Sequence, residues 1–223
     1  MKRKFKTTPQ SLRTALLGPL VALLNLAALT GCTAAVTLPT LAELADRNVG
    51  FETAAVWYIH GAGNDSTTWA KALADQRGGL AYDWKEAATD RLAAPAAGYD
   101  LGLSLAATMD PTIARTLYAH SAGAWLAQGI ADGLAVKAGA LPPTIIFLDP
   151  FTALSAFDWW AGKDKLGKNT AKVETYYTTR DPVPFTVGEV AAGDSTNLDD
   201  LLDPAITGSP AHWAVVDWYF SGH

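Results

Sequence analysis

The sequence predicts an α/β protein: a mostly parallel sheet with helices on both faces, folded as one compact domain. Two observations carry this. Short apolar runs, Ala54–His60, Leu80–Trp84, Ile113–Ala119, Thr144–Leu148 and Val173–Thr179, have the length and content of strands buried on both faces. Between and after them lie Thr68–Gln76, Tyr99–Met109, the stretch after Ser121 and Trp213–Phe220, which read as helices. Strands alternating with helices imply parallel connections. The 223 residues, 49% hydrophobic and 17% charged, contain no repeat or low-complexity tract and suit one domain.

The first 31 residues stand apart from that domain. Lys2, Arg3, Lys4, Lys6 and Arg13 precede an apolar run, Ala15 to Leu29. The run is shorter than the about 20 residues a membrane-spanning helix needs and matches the core of an export signal. Leu29-Thr30-Gly31-Cys32 resembles the lipobox of bacterial lipoproteins, in which cleavage precedes a cysteine that then carries lipid. Cys32 is the only cysteine, so no intramolecular disulfide can form. The resemblance implies export, removal of residues 1–31, and attachment to a membrane surface through lipidated Cys32, with residues 32–50 as tether and 51–223 as the folded domain. Thr33 after the cysteine favours the outer membrane if the cell is Gram-negative.

Export changes the charge. All 22 acidic residues follow Cys32 and five of the 17 basic ones precede it, leaving 12 − 22 = −10. Such a surface disfavours nucleic acid and gives no electrostatic attraction to anionic lipid.

In chain order, a short helix is expected over Leu41–Asp46. The run Ala54–His60 ends in His60-Gly61-Ala62-Gly63, a tight turn. Asp65 and Ser66 can cap the next helix, which Gly78-Gly79 stops. The following strand ends at Tyr82-Asp83-Trp84, with Asp83 read as a solvated or hydrogen-bonded strand-end residue. A loop around Ala93–Ala97 leads to the helix that Pro111 closes.

The central stretch runs from Leu117 to Gly133. An apolar strand stops at His120, Ser121 follows, and helical spacing begins at Ala122. Small residues flank the serine two positions away on each side, Ala119 and Gly123. A sharp strand-to-helix turn that pushes a serine hydroxyl outward needs that room. The helix beginning there directs unpaired N–H groups to the same spot.

Downstream, Thr144–Leu148 ends in Asp149-Pro150. A loop of about twenty residues then carries Phe157, Trp159 and Trp160. Val173–Thr179 ends in Arg180-Asp181-Pro182, residues 187–208 read as an acidic loop, and His212 precedes the last helix. A serine nucleophile needs a base. Of four histidines, His60 lies in the glycine turn, His120 is expected to point away from Ser121, and His223 is terminal, leaving His212. The spacing of His, Asp and Cys offers no metal-ligand cluster, and no cofactor is implied.

His60-Gly61-Ala62-Gly63, Tyr82-Asp83-Trp84, His120-Ser121-Ala122-Gly123, Leu148-Asp149-Pro150 and His212, in this order, resemble the lipase branch of the α/β-hydrolases, including the pancreatic-type lipases. The resemblance covers most of residues 54–220. It implies a serine hydrolase of carboxylic esters, lipid or small, with Ser121 as nucleophile, His212 as base and the N–H groups of Ala62 and Ala122 as oxyanion donors. The acid is Asp149 or Asp181: most α/β-hydrolases take it after the strand ending at Asp181, the pancreatic type one strand earlier. Asp-Trp and Leu-Asp-Pro favour Asp149. A monomer is expected. The other reading is a surface lipoprotein that uses this fold for binding and has lost catalysis.

Overall fold

The computed structural model describes residues 41–64, 67–155, 158, 160–181 and 190–222. The export signal, Cys32, Asp65, Ser66, Phe157, Trp159, Pro182 and His223 lie outside the described residues. The described residues belong to one compact unit. Among the described residues no helix is long and apolar enough to cross a membrane.

The elements are α1 (Leu41–Arg47), β1 (Val56–Ile59), α2 (Trp69–Arg77), β2 (Leu80–Tyr82), α3 (Ala94–Thr108), β3 (Thr116–His120), α4 (Gly123–Ala135), β4 (Thr144–Leu148), α5 (Ala161–Lys165), β5 (Lys172–Tyr177), β6 (Asp194–Asn197) and α6 (Ser209–Phe220). They build one six-stranded sheet in the order β2-β1-β3-β4-β5-β6, with every neighbouring pair parallel.

Alternation along the strands sorts the two faces. Trp57, Ile59, Leu117, Ala119, Ile145 and Phe147 point to one side and pack with α3 and α4. Tyr58 meets α2, while Ile146 and Leu148 meet α6, on the other side. Tyr58 and Tyr118, side by side in register, stack at 5.2 Å. Helices therefore cover both faces, as the pattern of buried runs requires.

On the first face the two helices meet through glycine. A Cβ placed on Gly129 would lie 2.2 Å from the Tyr99 carbonyl oxygen, and one on Gly102 would lie 2.4 Å from the Leu126 carbonyl oxygen. Backbone faces backbone here, and neither side can yield cheaply. Gly129→Ala gains about 1 kcal/mol of helix propensity but forces the helices apart, an overpacking cost of about 1–3 kcal/mol. The expected net result is a lower urea midpoint with an unchanged slope; an equal or higher midpoint contradicts it.

Several boundaries differ from the sequence reading. Helix α3 begins at Ala94, not Tyr99, because Pro95 sits in its first turn, where a missing N–H costs nothing. Within the expected long loop after β4 lies a short helix, α5. The acidic stretch 187–208 contains a strand, β6, whose residues Asp-Ser-Thr-Asn carry no hydrophobic signal because, among the described residues, it is an edge strand paired to β5 alone. Helix α6 begins at Ser209, with Pro210 again in the first turn, and thereby takes His212 into its body.

The chain order reverses between β1 and β3: β1 runs outward to β2, and β3 starts the series β4, β5, β6. The crevice beyond the carboxyl ends of those two strands is where open parallel sheets place ligands.

Candidate active site

Ser121 stands at that crevice. It follows directly on β3 with φ 54°, a left-handed backbone that a non-glycine residue adopts only at a cost. Its N–H donates to the Leu148 carbonyl at 3.2 Å, and its own carbonyl accepts from Ala124 and Phe151 at 3.1 Å each. The chain is helical from Gly123, one residue later than the hydrophobic period suggests, because Ser121 occupies the bend itself.

Crowding around the bend explains its small neighbours. A Cβ on Gly61 would lie 2.6 Å from Ser121 Cβ, and one on Gly123 would lie 2.6 Å from the His60 carbonyl oxygen. Ala119 is fully buried under the turn. The glycine loop after β1 and the serine turn after β3 are thus pressed together, bringing Ala62 and Ala122 to one cavity. Among the described residues, neither the Ala62 nor the Ala122 N–H donates to a backbone carbonyl.

The loop is braced from behind. His60 is buried, with Nδ1 2.9 Å from the Gly61 carbonyl oxygen, and Trp84 Nε1–H donates to the His60 carbonyl at 3.0 Å. Asp83 has the strand-end role expected of it. Its backbone exchanges two hydrogen bonds with the Asn48 amide, and its carboxylate accepts from Lys85 N–H at 3.3 Å.

Asp149 follows β4, one strand over, also left-handed at φ 44°. Its N–H donates to the Tyr176 carbonyl at 2.7 Å, and Oδ1 accepts from Thr178 N–H at 3.2 Å. Oδ2 lies 2.5 Å from His212 Nδ1. Asp181 Oδ2 lies 3.1 Å from the same nitrogen. All three side chains are buried or nearly so. The two candidate acids are therefore not alternatives in space, since both face one imidazole nitrogen, with Asp149 nearer.

Burial works to lower the His212 pKa, but the hydrogen bonds and charges of Asp149 and Asp181 outweigh it and raise it to about 9. Burial raises Asp149 to about 6 even against His212 and the Thr178 N–H. At neutral pH the pair is accordingly carboxylate and imidazolium.

His120 points away from the Ser121 side, as alternation requires, yet it reaches the site. Its ring lies 4.2 Å from the His212 ring and 4.6 Å from Trp213, and Nε2 is 3.4 Å from the His212 carbonyl oxygen. Burial, with the charge of His212 beside it, holds its pKa well below the usual value and keeps it neutral. It fixes the start of α6 from below. The sequence carried no sign of this contact, which joins residues 92 apart in the chain.

Ser121 and His212 line a common cavity of about 190 Å³ with Phe151, Trp213 and Arg91. Phe151 and Trp213 supply the aromatic wall of the cavity, while Trp160 in the loop after β4 is 72% exposed. Trp125 Nε1–H holds the Phe151 carbonyl at 2.8 Å, which fixes the wall to α4. Arg91 was not singled out by any motif.

The expectation that no metal-ligand cluster exists needs correction. Asp149, Asp181 and His212 offer three ligand atoms within 4.8 Å of one another, because strand ends far apart in sequence converge. These types could hold a divalent cation. The 2.5 Å between Nδ1 and Oδ2 is, however, the separation of a charge-assisted hydrogen bond, so with a proton on Nδ1 these donors are committed to each other. Compared with models of protein families, with curated proteins and with solved structures, the chain matches none.

Proposed function

We propose that this chain is a serine hydrolase of carboxylic esters built on the α/β-hydrolase plan. The observation that carries the reading is the left-handed Ser121, held at a strand-to-helix bend in one cavity with a histidine whose far nitrogen is anchored by buried carboxylate.

In this scheme Ser121 Oγ attacks the acyl carbonyl while His212 Nε2 takes its proton. The tetrahedral oxyanion is met by the N–H groups of Ala62 and Ala122. His212 returns the proton to the leaving alcohol as the C–O bond breaks, leaving an acyl-serine. Water, deprotonated by the same nitrogen, then attacks the acyl carbon; the acid departs, and Ser121 regains its proton. Asp149 holds the Nδ1 proton in place and balances the imidazolium. Turnover requires Ser121 Oγ and His212 Nε2 to come within hydrogen-bond reach with substrate bound. All of these groups come from one chain, as action by a monomer needs.

The cavity volume of about 190 Å³ lies below the roughly 300–1,000 Å³ of drug-sized ligand sites and supports a short acyl group. The test is hydrolysis of p-nitrophenyl esters from acetate to palmitate by the purified protein, with fluorophosphonate labelling. Turnover that peaks at short chains, with label on Ser121, supports the reading. A peak at long chains returns the substrate to lipid, and neither turnover nor label leaves the binding-lipoprotein alternative.

The membrane address belongs to the same proposal. Expressed with its first 31 residues, the protein should partition into the detergent phase of Triton X-114, and Cys32→Ser should move it to the aqueous phase. Partition unaffected by that change would remove the anchor.

A further inference from the structure

One side chain at the cavity has no place in the scheme above. Arg91 lies in the stretch between β2 and α3, is solvent-exposed, and lines the same cavity as Ser121 and His212. Its guanidinium runs along the glycine loop: Nε and Nη2 lie 3.8 and 3.9 Å from where a Cβ on Gly63 would stand. A side chain at position 63 would begin to fill the space between loop and guanidinium. The group thus sits beside Ala62, whose N–H faces the reacting carbonyl in the proposed chemistry.

Charge makes this position notable. Among the described residues, no Asp or Glu lines the cavity. The neighbouring cleft shares Gly63 and Asn64 with it and adds Lys85 and Glu86. Glu86 is already engaged, with both carboxylate oxygens held by Arg47 at 2.6 and 2.7 Å. Among the described residues, Arg91 and Lys85 form no ion pair. The mouth of the site is therefore locally cationic on a chain of net charge −5. An acidic protein repels anions at long range, and an uncompensated guanidinium at the mouth provides the local field and the paired donors to hold one.

We propose that the substrate carries a negative charge close to its ester bond and that Arg91 binds it. The inference rests on Ser121 and His212 being the hydrolytic centre, and it narrows that centre's substrate class to anionic esters. The charge can stand on the acyl or on the alcohol side, and the chemistry at Arg91 is the same for both.

Two matched pairs of esters separate these cases. For the acyl side, the mono-p-nitrophenyl ester of adipic acid is compared with p-nitrophenyl hexanoate. For the alcohol side, 4-acetoxybenzoate is compared with phenyl acetate. In one pair the anionic ester should have the higher kcat/KM after correction for the spontaneous rates. Arg91→Gln should lower that anionic-to-neutral ratio by about tenfold, the size one charge-assisted hydrogen bond supports. Arg91→Lys should restore part of it, and added salt should erode it in the wild type but not in Arg91→Gln. Equal handling within both pairs, or a ratio that Arg91→Gln leaves unchanged, overturns the inference while leaving the hydrolase standing. If no ester is turned over, the hydrolase reading falls, and Arg91 is then judged by binding alone. In that case adipate, and not hexanamide, must raise the Tm of the wild type and fail to raise that of Arg91→Gln, or the inference falls as well.

Discussion

Ser121→Ala is expected to lower kcat on p-nitrophenyl esters by on the order of 10⁴- to 10⁶-fold, the range seen when a serine nucleophile is removed from an otherwise intact site. The protein should still fold. Alanine leaves the bend as strained as before, since φ 54° disfavours any side chain, and it deletes only the hydroxyl. Ser121→Gly is the sharper companion. It should be equally inactive but more stable by about 1 kcal/mol, because glycine adopts the left-handed region without the Cβ penalty. Activity and stability moving in opposite directions at one residue is what strain retained for a nucleophile predicts. The checks are kcat/KM, fluorophosphonate labelling and the urea midpoint for all three proteins. A loss below tenfold in Ser121→Ala would sink the mechanism whatever the stability data show.

Much of this arrangement was legible because it rests on short-range rules. Buried strands betray themselves by runs such as Trp57-Tyr58-Ile59 and Ile145-Ile146-Phe147, and the bend by small residues around Ser121. Asp149 stands where the apolar run of β4 stops, and His212 was reached by elimination among four histidines, although the structure places it inside α6 and not before it. What stayed hidden depends on contacts between distant residues. β6 is four polar residues whose pairing with β5 is made by backbone alone. The ring of His120 under His212, the cationic mouth at Arg91 and the joint hold of two carboxylates on one nitrogen exist only once the strand ends converge. Sequence order posed Asp149 against Asp181 as a choice. Three-dimensional proximity puts both carboxylates at one nitrogen, Asp149 the nearer.

The two carboxylates at His212 predict a measurable pH signature. Both carboxylates favour the charged imidazole, and His212 is raised from 6.5 to about 9. A raised pKa keeps the ring protonated at neutral pH, and a protonated ring cannot serve as a base. Activity is therefore gained as pH rises: kcat/KM should climb about tenfold between pH 7 and 8 and level off above about 9. The two Asp→Asn changes should then diverge. Asp149 is the closer partner: its N–H donates to the Tyr176 carbonyl of β5, and its carboxylate accepts from the Thr178 N–H just past that strand. Asp149→Asn loses the group that fixes the Nδ1 proton and should cost on the order of 10⁴-fold in kcat, as loss of the orienting carboxylate does in serine proteases. Asp181, farther at 3.1 Å, acts on the charge more than on the orientation. Asp181→Asn should shift the alkaline limb toward neutral pH and, by leaving more of His212 unprotonated, hold or raise the rate at pH 7. If Asp181→Asn is the crippling change and Asp149→Asn the mild one, the roles are exchanged. If neither moves the limb, His212 is not the base.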